Sequence, residues 1–228
     1  MTESGTTRAI EKAIEDRRDA LLDDLRLNVE TPTGGGNLEA IELTRSRFVS
    51  RLAAIGAETD TMPGDPRPDW MGGNDAIPAS SISRSSGGSG PRVLIAGHLD
   101  TVHDPEGDFR ELTIRDDGTA TGPGCVDMKG GLVIALHALE VLHEVGAGVN
   151  WSFFLNADEE TGTYHSDAAL RKVSAEHDFG IALEPALAGG ELAIERAGSG
   201  QFMVDITGKS AHVGRAFTEG VSAVTALG

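Results

Sequence analysis

Apolar and polar positions follow different rhythms along the chain, and each rhythm predicts an element. Ile10, Ile14, Leu21, Leu22 and Leu25 return at helical spacing, which predicts a helix over residues 7–27. The turn-rich stretch NVETPTGGGN (28–37) ends it, and a second helix is expected from Leu38 to Ala57. Residues 61–91 are rich in Pro, Gly and Ser, with AIPASSIS a candidate strand and SSGGSG (85–90) a flexible turn. Val93, Leu94, Ile95 and Ala96 then form an unbroken apolar run, the pattern of a strand covered on both faces. WSFFLNA (151–157) and FGIALEP (179–185) repeat that pattern. Between these strands lie a hairpin pattern, LTIRDDGTATG, turning at Asp117–Gly118, and two helical patterns, DMKGGLVIALHALEVLHEVG and HSDAALRKVSAE. The repeated strand–helix–strand order predicts an α/β protein with a mainly parallel mixed sheet flanked by helices. Past residue 189 the texture changes. GELAIERAGSGQFMVDITGK reads as two strands of alternating polarity, SAHVGRAFTEG as a loop, and VSAVTALG as the start of a helix.

The ends of the apolar strands carry the chemistry. The first stops at His98 with Asp100 two residues on; the second runs into Asp158, Glu159 and Glu160; the third reaches Glu184. Asp127 precedes the long helix. In a parallel sheet the carboxyl ends share one rim, where α/β proteins keep their ligands. Several carboxylates on one rim repel one another, and such an excess implies a bound cation. Imidazole mixed with carboxylate suits zinc, and also cobalt or manganese. A single His or Glu after a strand is ordinarily a solvated loop residue. Three such strand ends in series change that balance.

Composition narrows the partners. Asp and Glu total 36 against 19 Lys and Arg, a net charge of −17, which argues against nucleic acid or an anionic membrane surface. The one cysteine, Cys125, allows no intrachain disulfide and points to a reducing, cytoplasmic setting. The polar start lacks the pattern of a signal peptide, and no apolar run reaches membrane-spanning length. TGKSAH has Met203 where a phosphate loop requires glycine, GPGCVD lacks the third glycine of a dinucleotide fingerprint, and neither HExxH nor GxSxG occurs.

GHLDTV, GPGCVDMKGG, NADEETG, ALEP and GKSAHVG occur in the order and spacing of a known family. Over residues 7–228 the chain resembles the carboxypeptidase G / aminoacylase / succinyl-diaminopimelate desuccinylase family of co-catalytic metallohydrolases. The resemblance implies a zinc-exopeptidase-like catalytic domain over 1–188 and the beginning of an inserted α+β lid or dimerisation domain over 189–228. It implies hydrolysis of an amide bond in a small peptide or N-acyl amino acid, with a water activated by two zinc ions, in a homodimer. His98, Asp127, Glu160 and Glu184 would be metal ligands, with Asp127 bridging. Asp100 would steady His98, Glu159 would be the general base, and His212 would reach the oxyanion across a dimer interface. Asp158 would be structural, and the Asp127–Met128 peptide would be cis. Cys125 lacks a base partner and is not expected to be a nucleophile.

In the same family the chain returns from the inserted domain to the catalytic one and supplies a further histidine ligand. This sequence ends inside the first helix of the inserted domain, so two expectations stand side by side. One is the N-terminal portion of a metallohydrolase, poorly stable or self-associating in isolation. The other is a catalytically incomplete homologue that acts as a binding or assembly partner. The intact Glu159 favours the first.

Overall fold

In the computed structural model the chain runs α1 (Glu3–Glu15), α2 (Arg18–Val29), α3 (Leu38–Ala54), β1 (Glu58–Met62), β2 (Ser80–Arg84), β3 (Ser89–His98), β4 (Thr113–Ile114) and β5 (Ala120–Thr121). A wide turn, Cys125–Lys129, then leads into α4 (Gly130–Glu144), β6 (Val149–Asn156), α5 (Asp167–Ser174), β7 (Phe179–Ala182) and α6 (Ala223–Leu227). The structure describes residues 3–69, 76–195, 197–198 and 204–228. The chain divides into two compact units, Met1–Ala193 and Ile194–Gly228.

In the first unit five strands form one sheet in the order β1-β2-β6-β3-β7. The β1/β2 and β2/β6 pairs are antiparallel, and the β6/β3 and β3/β7 pairs are parallel. Only β2 therefore runs against the other four, and the sheet is mainly parallel by strand direction. Alternate residues of the central strands enter opposite layers, as the two-residue period of a strand requires. Ile95, Trp151, Phe153 and Leu155 pack with Ile41, Phe48 and Leu52 of α3 and with Leu132, Leu136 and Leu139 of α4. Phe48 meets Phe153 edge to face, with ring centroids 6.3 Å apart. On the other face Leu94 and Phe154 pack with Ile82 and with Ala169 and Val173 of α5. This is the zinc-exopeptidase-like α/β layering, and it brings the carboxyl ends of β3, β6 and β7 to one rim.

Several local expectations change. The single helix over 7–27 is two helices broken at Asp16–Arg17. There the Arg17 guanidinium turns in to Glu144 and Glu140 of α4, a tertiary contact that periodicity does not contain. Strand β1 went unforeseen. Its sequence, ETDTM, is polar because it is an exposed edge with one neighbour. Strand β3 begins at Ser89, inside the expected turn, and bulges before Val93. The third strand is shorter than expected and stops at Ala182, leaving Glu184 beyond its end. The hairpin forms as predicted, with Gly118 in the left-handed region at φ +82°.

In the second unit the described residues hold an isolated bridge between Lys209 and Val221, a single 3₁₀ turn at Phe217–Glu219, and α6, whose first turn is capped by the Ser222 hydroxyl. The two strands expected across 190–209 do not form among the described residues; positions 196 and 199–203 lie outside them. Leu192 and Ile194 are 81% and 96% exposed. Alternating polarity yields a strand only where a partner surface takes up the apolar side, and among the described residues these two side chains stay open to solvent.

Two glycines set the closeness of helix and sheet. A methyl group at Gly97 in β3 would press on Leu132 of α4, and one at Gly131 would overlap the carbonyl oxygen of Leu183. Gly131→Ala is therefore expected to destabilise the fold by about 1–3 kcal/mol, the usual cost of overpacking. Urea denaturation monitored by Trp fluorescence would check it, and an unchanged midpoint would contradict the packing described.

Candidate metal centre

The site begins where β3 ends. His98 is 2% exposed, and its backbone N–H points at the sulfur of Met128. Its Nδ1 lies 2.9 Å from the Asp100 carbonyl oxygen, which only accepts, so Nδ1 carries the hydrogen. The other nitrogen, Nε2, faces an acidic wall. Asp127 Oδ1 is 3.0 Å away, Glu184 Oε1 3.7 Å and Glu159 Oε2 4.0 Å. Burial alone would lower the imidazole pKa. The hydrogen bond and charge of Asp100, with the charge of Glu184, overcome burial and raise it to about 9.

Asp100 also anchors the loop after β6. Its carboxylate accepts the backbone N–H groups of Glu160, at 3.0 Å, and of Glu159, at 3.4 Å. Asp158 holds the same loop from inside. It is 1% exposed and accepts from the N–H groups of His165 and Ser166, from the Ser166 hydroxyl and from Asn156. Asp158 thus has the structural place expected of it, while the next two residues project their carboxylates toward the rim. Burial and then the charge of Asp127 push the Glu160 pKa up.

Asp127 sits in the wide turn before α4, and the Asp127–Met128 peptide is cis. The following Lys129 is buried at 2% exposure, and its ammonium donates to the carbonyl oxygens of Val29, the last residue of α2, and of Thr31 just beyond it. Burial lowers its pKa to about 8. The side chain ties the Asp127 turn to the end of α2, a role that nothing in the sequence signals. Cys125 is half-buried and its thiol pKa is pushed up by burial, which disfavours the thiolate.

His98, Asp127 and Glu184 each offer one ligand atom, and the three atoms lie within 4.8 Å of one another. An imidazole nitrogen and two carboxylate oxygens converging this closely form a donor set for zinc or a similar divalent ion. The residues present fit the cation that the charge pattern calls for. Of the four expected ligands, Glu160 stands outside this trio, but it shares with Asp127 the lining of a cavity of about 400 Å³. His212 lies in the second unit, exposed in a turn, with Nδ1 accepting the Gly214 N–H at 3.1 Å.

Comparison with known proteins gives a consistent relationship. Peptidase family M20/M25/M40 matches residues 94–218, more than half of the 228 residues. Carboxypeptidase G2 of Pseudomonas sp. (strain RS-16) is 30% identical over 218 residues, covering 93% of this chain and 50% of that protein. Succinyl-diaminopimelate desuccinylase 2 of Shewanella loihica is 31% identical over 138 residues, covering 54% of this chain and 36% of that protein. The chain thus spans half or less of the length of these relatives. Human carnosine dipeptidase 1 superposes with a TM-score of 0.65 at 20% identity, over 78% of this chain and 41% of that one. The dipeptidase Dug1p of Saccharomyces cerevisiae gives 0.62 at 19% identity, over 72% and 37%. The two structures share the fold.

The Asp158 network generates a stability prediction. Asp158→Ala removes the acceptor of four hydrogen bonds, three of them buried, and should cost about 2–4 kcal/mol. Asp158→Asn keeps one acceptor oxygen and should fall between the two. Thermal unfolding would rank the three proteins, and an alanine variant as stable as the parent would contradict the network.

Proposed function

The chain belongs to peptidase family M20/M25/M40, and on that footing we propose that it serves as a metal-dependent hydrolase of an amide bond in a small peptide or N-acyl amino acid. The observation that carries this reading is the convergence of His98, Asp127 and Glu184 from three separate segments onto one point. The names of its relatives, a carboxypeptidase and a desuccinylase, support the substrate class.

His98, Asp127 and Glu184 would hold one zinc ion, and Asp127 with Glu160 would contribute to a second. Zinc bound there would polarise the scissile carbonyl and acidify the attacking water. Glu159 is the general base in this assignment. Its carboxylate is 46% exposed and its oxygen is 4.0 Å from His98 Nε2, so it borders the cluster while open to a water. It would take the proton from the attacking water and deliver it to the leaving amine. Asp100 is a positioning residue that orients the His98 ring and anchors the Glu159–Glu160 backbone. His212 is assigned to the oxyanion from the partner subunit of a homodimer. The single cysteine supports a cytoplasmic setting. No helix among the described residues is long and apolar enough to cross a membrane.

Two measurements test the assignment. Mass spectrometry of the purified chain should find zinc, and the His98→Ala/Glu184→Ala double variant should lose it; unchanged zinc in the double variant overturns the ligand set. Glu159→Gln should keep its zinc while hydrolysis of an N-acyl amino acid falls by about 10²–10⁴-fold. Loss of zinc in Glu159→Gln would instead place Glu159 among the ligands.

A further inference from the structure

A cavity of about 420 Å³ lies between α2 and α3 in the first unit, in the helical layer, and none of the metal-centre residues lines it. Its lining joins half-exposed Leu27 and Leu43 and buried Phe48 and Leu136 to two arginines of α3, Arg47 and Arg51. The two arginines differ. Arg51 is spent on carboxylates, donating to Glu140 at 2.8 Å and to Asp24. Arg47 donates to the hydroxyl of Thr31 at 2.9 Å and forms no ion pair among the described residues. We propose that this cavity is a second ligand site, for a small monocarboxylate with an unbranched apolar chain, and that Arg47 holds the carboxylate.

Charge assigns the ligand class. The Thr31 hydroxyl donates to the Leu27 carbonyl oxygen at 2.7 Å, so toward Arg47 it accepts and brings no charge. The guanidinium keeps its full charge and most of its five N–H donors for another partner. The chain holds 36 Asp and Glu against 19 Lys and Arg, and Arg51, one turn further along α3, takes two of those acids. An arginine beside it that takes none stands out. A guanidinium stays charged at every working pH and matches a carboxylate in a two-point hydrogen bond. A dianionic phosphate would call for a second free cation, and Arg51 is already neutralised by Asp24 and Glu140. The apolar side chains beside Arg47 suit methylene groups, and the volume lies within the range of small-molecule sites, about 300–1,000 Å³.

Arg47 also heads a line of contacts toward Asp127. It holds the Thr31 hydroxyl, the Thr31 carbonyl oxygen accepts the Lys129 ammonium at 2.8 Å, and Lys129 follows Asp127 by two residues. A carboxylate that fixes the Arg47 guanidinium fixes the first member of that line. Occupancy therefore steadies the Asp127 turn and tightens zinc binding there, and linkage makes the effect reciprocal. This last step alone rests on the metal-centre reading above; binding at Arg47 does not depend on it.

The test is calorimetric titration of the metal-free 228-residue chain with hexanoate and with hexanamide, which share the apolar chain and differ in charge. Hexanoate should bind roughly tenfold tighter or better, the span of one charge-assisted hydrogen bond. Arg47→Gln should abolish that preference. Leu43 is half-exposed and lies one turn before Arg47 on α3, so Leu43→Glu sets an internal carboxylate against the guanidinium. That variant should lose the preference with Arg47 still in place. Equal binding of the two probes, binding of neither, or a preference that survives in either variant overturns the site. Zinc titration with and without saturating hexanoate reads the coupling, with zinc affinity about fivefold tighter in the parent and unchanged in Arg47→Gln. No change in the parent, or the same change in Arg47→Gln, overturns the coupling. A chain that takes up no zinc fails the hydrolase reading separately, and the metal-free titrations still decide the Arg47 site.

Discussion

Five carboxylates, from Asp100, Asp127, Glu159, Glu160 and Glu184, gather around one buried imidazole, and their mutual repulsion is the constraint the rest of the structure answers. Such a cluster calls for counter-charge. Part of the answer is local: Asp100 spends its oxygens on backbone N–H groups and the His98 ring. The remainder falls to whatever cation occupies the point between His98, Asp127 and Glu184. The high affinity of His98 for a proton is the same demand expressed in protons.

A site under this repulsion holds its shape only if each loop is fixed by something other than the site itself. Asp158 fixes the loop after β6 from below with four accepted hydrogen bonds. Lys129 fixes the Asp127 turn to the end of α2 through the carbonyls of Val29 and Thr31. Gly131 lets α4 approach the backbone of Leu183, next to Glu184. Glu160 lines the cavity of about 400 Å³ that it shares with Asp127.

A second charged cluster, away from the rim, shows the same physics with a different outcome. His137 on α4 is buried and meets Asp24 of α2 at 2.6 Å, with Arg51 of α3 bridging Asp24 and Glu140. Here the acids face two arginines and the charges close on themselves. The cluster pins three helices together. The Asp24 pKa illustrates the balance: burial raises it, but the hydrogen bonds of Arg51 and His137 outweigh burial and bring it below its ordinary value.

The sequence by itself determined the apolar strands that end in His98 and Asn156, the long helix between them, the hairpin at Gly118, and the order of acidic residues that the rim collects. These are legible because buried strands and helices write their burial directly as runs and periods of apolar residues. The tertiary structure decided what depends on contact between distant segments. The break at Arg17, the polar edge strand β1, the pairing of His165 with the Asp65 carbonyl and the buried reach of Lys129 carry no periodic signal. Each is a polar group whose place is set by its partner's position, and partners 100 residues apart, such as Lys129 and Val29 or His165 and Asp65, meet only once the sheet has formed. The expected strands past residue 189 make the same point in reverse. Alternation is present in the sequence, but among the described residues Leu192 and Ile194 stay exposed and form no strand.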